Sequence, residues 1–485
     1  MTPNLQKRQN ALARCRERHI VIPTLAQQRD PGLIPAAIRS ALPGVDMQAP
    51  DPINLFRITW HNDPATGGFG PVSALELPSS LTGVPARIIG LVGKHFPTGA
   101  HKVGAAFGCL VPRLVSGEFD PTTQKAVWPS TGNYCRGGAF DSALLGCQAV
   151  AILPKEMSQE RFRWLESIGA EIIATPGCES NVKEIFDACW EIRHTQPQSV
   201  IFNQFEEYGN YLWHLGVTAP AAEEVFRRLA GPGDRFAGWV GATGSAGTLA
   251  AGDYLKQRFP GCHITVSEAL QCPTLLRNGF GAHRIEGIGD KHVPWIHNVR
   301  NSDLVTAIDD EAAMRVFRLF CEPAGHQWLV RQSIPAAVVA QLPLLGISSV
   351  CNMLSAIKMA RYYELDGDDL VLTCFTDSAA MYASRLEELT AAYGTYGELA
   401  AARDAERYLW GATTDHLREL SFVDRKALHN LKYFTWVEQQ GRSVEELNAL
   451  WSPAFWTDLQ AQLPEWDRQI EAFNAEVGVR EGVGA

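Results

Sequence analysis

No stretch of this sequence is apolar for the roughly 18 residues that a membrane span requires. The longest apolar run, AAVVAQLPLLGI, is broken by Gln341 and Pro343, so no membrane partner is expected. No C-x-x-C pair occurs among the 11 cysteines, an odd number scattered through contexts such as LLGCQAVAIL (Cys147) and LVLTCFTD (Cys374). That pattern excludes a disulfide framework and reads as thiols packed as small hydrophobes in a reducing, cytoplasmic compartment. Cys135 has Arg136 beside it, an arrangement that lowers a thiol pKa, yet a packed thiol is the preferred reading. No metal site is expected. No basic domain or stripe is present: 43 Lys and Arg face 53 Asp and Glu, a net charge of −10, which excludes nucleic acid as a partner. A charged-then-apolar signal pattern is missing from the start of the chain. The basic opening QKRQNALARCRERH reads as a solvated or subunit-contacting arm. Internal repeats and low-complexity tracts are also absent.

What is present is a globular chain of 485 residues, 46% hydrophobic, long enough for two or three domains. Short apolar runs at 86–93, 148–153, 171–174, 199–203, 236–241, 263–269 and 369–375 predict strands. Helical periodicity lies between them, near 103–115, 134–146, 157–168, 180–195, 219–230, 246–258 and 350–365. Such alternation predicts an α/β fold with mostly parallel sheets flanked by helices. Residues 1–50 read as an N-terminal arm and 51–385 as the core, with a smaller mobile subdomain at roughly 100–205. Residues 386–485 read as a helical extension without a strand, carrying Trp410, Trp436, Trp451, Trp456 and Trp466. Its primary role is read as an appendage on the body, a dimer contact or active-site cover being the alternative.

Four short stretches stand out. GKHFPTGAHKVGAAFGCL places Lys102 between a turn and a small-residue helix, as a solvated helix-start residue or as a covalent catalyst. WPSTGNYCRGGAF sets Ser130, Thr131, Gly132, Asn133 and Tyr134 at a polar turn before a helix, suited either to gripping a carboxylate or to ordinary N-capping. GATGSAGTLAAG follows a strand and opens a helix. Its glycines and free N–H groups suit a phosphate, and Gly241, Gly244 and Gly247 followed by Glu268 also fit a dinucleotide fingerprint. LLGISSVCNMLSAIKMAR carries Ser348 and Ser349 before a helix, again readable as an N-cap.

In combination, the order of these stretches resembles the pyridoxal-phosphate-dependent fold type II family, the cysteine synthase and tryptophan synthase β superfamily, closest to cysteine synthase-like members. PTGAHK is similar to the family's Schiff-base lysine segment and STGNY to its Thr/Ser-Ser-Gly-Asn loop. NQFEEYGNYLWHLGVTAPAAEEV, GSAGTLAAGDYLK, HRIEGIGDKHVP, GISS and TDSAAMY resemble later family segments. The likeness covers roughly residues 55–385. It also leaves the earlier lysine and STGN turn with a task, which the dinucleotide reading does not.

The resemblance implies a fold type II enzyme of two twisted, mostly parallel sheets, with pyridoxal 5'-phosphate as cofactor and a homodimeric state. It implies a lyase or transferase acting at the β-carbon of an amino acid, by β-elimination or β-replacement through an aminoacrylate. Lys102 would be the Schiff-base lysine and base, and Gly244, Ser245, Ala246, Gly247 and Thr248 would cup the phosphate. Asn133 would meet the ring hydroxyl, and Ser348, with Ser378 as second choice, the pyridine nitrogen. Ser130, Thr131, Gly132 and Gln204 would orient the substrate carboxylate. Two departures bear on the substrate: Tyr134, whose ring is expected toward the substrate, and the insertion 321–345. There Arg331 is a candidate partner for an anionic substrate, with a surface or dimer-contact loop as the preferred alternative. A nicotinamide oxidoreductase and a non-catalytic fold relative remain the other classes.

Overall fold

The computed structural model describes residues 4–130, 132–178 and 181–479. Eleven strands form two sheets among these residues. The first has the order β1-β2-β10-β7-β8-β9-β11, built from β1 (Ala74–Leu77), β2 (Arg87–Val92), β7 (Arg235–Ala242), β8 (His263–Ala269), β9 (Leu304–Ile308), β10 (Asp369–Phe375) and β11 (Leu417–Glu419). The second has the order β5-β4-β3-β6, from β3 (Lys125–Pro129), β4 (Gln148–Pro154), β5 (Glu171–Thr175) and β6 (Ser199–Ile201). Its strands are all parallel. The larger sheet is parallel from β2 to β9 and antiparallel only at its edges, β1 and β11. Every residue of β10 is buried, as its unbroken apolar run requires of a strand covered on both faces.

The helices that position the site are α1 (Leu5–Glu17), α2 (Lys102–Ser116), α3 (Asn133–Leu144), α4 (Gln159–Ser167), α5 (Val182–Thr195), α6 (Tyr208–Trp213) and α7 (Ala219–Leu229). They are followed by α8 (Ala250–Arg258), α9 (Asp310–Cys321), α10 (Pro323–Arg331), α11 (Ile347–Tyr362), α12 (Ala383–Tyr393), α13 (Phe422–Lys432), α14 (Pro453–Gln460) and α15 (Leu463–Val477). Two glycines let α2 touch α6. A Cβ at Gly104 would overlap the Trp213 ring, and one at Gly108 would lie 2.5 Å from the Gly209 carbonyl oxygen.

Several expectations change. β1, β3, β9 and β11 are strands that the apolar runs did not mark; β11 lies inside the segment expected to be free of strands and pairs with β9. The N-terminal arm is not a solvated tail. On α1, Ala11, Leu12 and Cys15 are buried, Arg8 pairs with Glu476 of α15 at 2.6 Å, and Arg14 donates to the Gly146 carbonyl. The insertion 321–345 is largely helical, with α10 and a short turn at Ala336–Val339. Among the C-terminal tryptophans, Trp436 and Trp456 are buried in an aromatic cluster with Trp295, and Trp410 packs on Trp328.

Candidate active site

Open α/β sheets bind ligands beyond the carboxyl ends of their strands, and the motifs converge there. Lys102 opens α2, and its Nζ donates to Ser245 Oγ at 2.9 Å and Gln204 Oε1 at 3.2 Å. Gln204 Nε2 in turn donates to Ser130 Oγ at 3.2 Å, which also accepts from the Gly132 amide at 3.2 Å. The lysine end, the STGN turn and the glycine loop thus meet at one cavity. Its lining includes Lys102, Ser130, Asn133, Gln204 and the whole segment Gly244, Ser245, Ala246, Gly247, Thr248.

The glycine loop follows β7 and curls into the turn before α8. Ala246 sits in the left-handed region, φ 62°, a conformation uncommon for a residue with a Cβ. Ser245 Oγ accepts from Lys102 and from Asn210 Nδ2 at 3.0 Å. Its own hydrogen is therefore left to donate. A Cβ at Gly247 would overlap Asn210 Oδ1, and one at Gly244 would come 2.6 Å from the Gly287 carbonyl, so the loop is a close approach of backbones.

Asn133 is fixed by Asp377. Its Nδ2 donates to Asp377 Oδ2 at 2.6 Å, and Tyr382 donates to the same oxygen at 2.7 Å. Burial raises the Asp377 carboxyl above its ordinary range, against the pull of Arg161, Asn133 and Tyr382. Arg161 of α4 also pairs with Glu286, which meets Arg385 at 2.6 Å. These contacts tie the small sheet's helices to the large sheet beside the cavity. A Cβ at Gly132 would lie 2.5 Å from Arg161 Nε.

Other expected residues lie elsewhere. Thr131 falls outside the described residues. Tyr134 borders the cavity, but its ring packs edge-on against Trp128 and is 1% exposed; it turns into the core rather than toward a substrate. Ser348 and Ser378 do not line the cavity. Ser348 is buried in the first turn of α11, and Ser378 is buried where the chain leaves β10, its carbonyl accepting the Met381 amide. Thr376 and Asn352, from the same two segments, are the residues that do line it. Arg331, at the end of α10, pairs on the surface with Glu398 at 2.8 Å and is absent from the cavity lining. His326 bonds the Phe320 carbonyl, and Trp328 is committed to Trp410. Cys135 is buried, its thiol donating to the Gly132 carbonyl, and burial pushes its pKa up to about 12, as a packed thiol should be.

Sequence reasoning also missed His101, Asp290, Asn352 and Thr376. Thr376 carried a readable signal: it is the first residue beyond the end of β10. His101 is fully buried, stacked on Trp60 with centroids 5.4 Å apart, and burial lowers its pKa to about 3, so its ring is neutral. Glu268, the acid of the dinucleotide fingerprint, is buried and accepts the Leu275 and Leu276 amides at 2.9 and 2.8 Å. Its carboxyl is committed to the protein's own backbone.

Comparison with known proteins decides between the classes. The family model described as pyridoxal-phosphate dependent enzyme matches residues 82–329, about half of the chain. The chain belongs to the pyridoxal-phosphate-dependent enzymes. It is 28% identical over 289 residues to a probable cysteine synthase of Bacillus subtilis, covering 59% of this chain and 85% of that one. It is 29% identical to cysteine synthase B of Campylobacter jejuni over 59% and 87%. Among solved structures, cysteine synthase from Entamoeba histolytica superposes with a TM-score of 0.56 at 21% identity, over 70% of this chain and 93% of that one. The O-acetylserine dependent cystathionine beta-synthase from Helicobacter pylori gives 0.54 at 23% identity, over 65% and 95%. The fold is therefore fold type II, with additional C-terminal helices, and this pyridoxal-phosphate-dependent enzyme is cysteine synthase-like. The nicotinamide alternative is set aside.

The residues present fit pyridoxal phosphate. Both ring nitrogens of His101, Asn133 Oδ1 and Asn352 Oδ1 are buried at the cavity without a hydrogen-bond partner among the described residues. Buried polar atoms without partners are costly, and a polar ring with a phosphate would meet such groups. The glycine loop offers the backbone cradle, and Lys102 the amine.

Proposed function

We propose that this enzyme acts at the β-carbon of an amino acid, by elimination or replacement, with Lys102 as the lysine that carries the cofactor. The observation that carries the reading is the placement of Lys102 Nζ on Ser245 Oγ, inside the glycine loop, with Gln204 and Ser130 beside it. A solvated helix-start lysine has no reason to sit there. The cysteine synthase relatives support the same choice of carbon.

When bound, pyridoxal phosphate supplies the electron sink for the pair released at the α-carbon. Lys102 Nζ is the covalent anchor and, as a free amine, takes and holds the α-proton. The phosphate belongs on residues 244–248, where the Ser245 hydroxyl is free to donate toward it. Ser130, Thr131, the Gly132 amide and Gln204 orient the substrate carboxylate. Asn133, its amide fixed by Asp377, meets the ring hydroxyl. Thr376 replaces Ser348 and Ser378 as partner of the ring nitrogen. A neutral hydroxyl there does not hold the nitrogen protonated, which suits β-chemistry over transamination or racemisation. A homodimer and a cytoplasmic setting belong to the same reading. They are supported by the exposed Phe422, Val423 and Phe434 and by eleven scattered cysteines without a C-x-x-C pair.

The test is chemical. Borohydride treatment of the yellow protein should bleach it and label Lys102, and Lys102→Ala should lose both colour and turnover. A panel of β-substituted amino acids should release pyruvate and ammonia, and β-substituted product when sulfide is added. A label on Lys94 or Lys291, or a coloured protein inert on the whole panel, would refute the reading.

A further inference from the structure

Among the described residues lining the cavity, Asp290 is a carboxyl to which the β-carbon mechanism gives no task. We propose that Asp290 is the general acid that protonates the departing β-substituent, an inference that rests on that β-carbon chemistry.

Three observations carry it. Asp290 lines the same cavity as Lys102, is 4% exposed, and its Oδ2 has no hydrogen-bond partner among the described residues. It stands on a fixed backbone. Gly287 and Gly289 turn the loop with φ of 99° and 84°, and the Asp290 carbonyl accepts from Thr274 Oγ1 at 2.8 Å. The C-terminal region clamps residues 293–297: Trp436 Nε1 donates to the Val293 carbonyl at 2.8 Å, and Lys432 Nζ to those of Trp295 and His297 at 2.9 and 2.7 Å. Third, its protonation state suits an acid. Burial pushes the carboxyl up to about 7, with the positive charge of Lys102 pulling the other way, so near neutrality it carries a proton to give. The titratable groups facing it are Lys102 from the start of α2 and the thiol of Cys272.

The step balances. The bond from the β-carbon to the substituent breaks, and its electron pair leaves with the substituent, which takes the proton from Asp290. Lys102, an ammonium after taking the α-proton, faces the new carboxylate and returns a proton to it. Both groups are restored, and the α-hydrogen and substituent have left together as one neutral acid. In replacement, the Asp290 carboxylate instead receives the proton of the incoming nucleophile.

The experiment compares leaving groups. Chloride departs from β-chloro-L-alanine without a proton; thiolate from L-cysteine, or hydroxide from L-serine, departs poorly without one. In Asp290→Asn and Asp290→Ser, kcat/KM should fall on the order of 100-fold for the poor leaving group that wild type releases best. For β-chloro-L-alanine it should stay within about threefold. An equal loss on both substrates, or none on either, overturns the proposal. Wild type inert on β-chloro-L-alanine would instead sink the β-carbon reading itself.

A second readout needs no turnover. In the cofactor-free protein, a carboxyl whose folded pKa is raised destabilises the fold as pH climbs from its unfolded value near 4 to its folded value near 7, because the unfolded chain ionises first. The Tm of Asp290→Asn should therefore gain on that of wild type across this window and run parallel outside it. Parallel curves throughout would overturn the assignment of a protonated Asp290.

Discussion

Replacing Gly247 by alanine tests the phosphate cup with a single methyl group. The backbone at 247 is outside the left-handed region, so alanine adopts it and the cost is steric. The new Cβ would overlap Asn210 Oδ1 and lie 2.8 Å from His214 Cδ2, both on fully buried side chains. Overpacking of this kind costs about 1–3 kcal/mol. If Asn210 shifts to relieve it, its donations to Ser245 Oγ and the Gln204 carbonyl, each 3.0 Å long, weaken at about 1 kcal/mol apiece. Ser245 and Gln204 both accept from Lys102, so part of the loss falls on the cofactor. If about 1.4–2.8 kcal/mol falls there, affinity drops roughly 10–100-fold. Pyridoxal phosphate titration by absorbance measures that share, and urea unfolding of the cofactor-free protein measures the rest. The decisive comparison is a cycle with Asn210→Ala. Removing the Asn210 side chain also removes the clash, so the double variant should cost about 1–2 kcal/mol less than the sum of the singles. Strict additivity, or wild-type affinity in Gly247→Ala, would refute the reasoning. Gly247→Asp, a variant that repulsion alone would make colourless yet folded, collides with the same buried asparagine, which makes alanine the cleaner probe.

Two further predictions draw on the same structure. Thr376→Val should alter the cofactor absorbance and slow turnover by about tenfold or more, while Ser348→Ala and Ser378→Ala leave the spectrum unchanged; the reverse pattern would return the ring nitrogen to a serine. Arg331→Ala removes a pair whose members are 49% and 69% exposed, worth about 0–1 kcal/mol, and should leave the activity ratio between anionic and neutral substrates as in wild type; a selective loss on anionic substrates would show that Arg331 reaches the substrate after all.

The parts of the site legible in the sequence are those where chemistry and local structure coincide. A lysine after a glycine turn, a Ser-Thr-Gly-Asn turn and a glycine loop each sit where a strand hands over to a helix, so their residue types carry both signals. Thr376, Asn352, His101 and Asp290 carry only one. Apart from Thr376, marked by its place just after β10, each is a single polar residue that nothing in the local pattern separates from a cap or a turn. Ser348 illustrates the converse: a serine at a helix start is first an N-cap candidate, and in the fold it is buried in the first turn of α11. Arg331 reads as a site residue because it lies shortly before the GISS turn. But α10 packs against the C-terminal residues around Trp410 and Glu398, away from the cavity. For the fold, most of the longer apolar strands were readable; the large sheet's edges β1 and β11 were not, nor were β3 and β9 inside their sheets. β11 reads Leu-Arg-Glu, too short and too polar to announce itself, and exists because β9 offers an unpaired edge.

The C-terminal region serves as more than an appendage, because of the groups it satisfies. The loop after Asp290 runs through Val293, Trp295 and His297, and all three carbonyls are taken by Trp436 and Lys432. Burial lowers the Lys432 ammonium to about 7, a cost its fold would shed if those carbonyls could be satisfied by water. Arg442 meanwhile reaches Glu206 at 2.9 Å, two residues from Gln204. Both walls that face Lys102 are thus held from the same extension, which lies outside the segment matched by the family model. A carboxyl that must stay buried, unpaired and aimed needs a backbone that does not relax around it. Here Thr274 holds the Asp290 carbonyl, and Lys432 and Trp436 hold the loop that follows it.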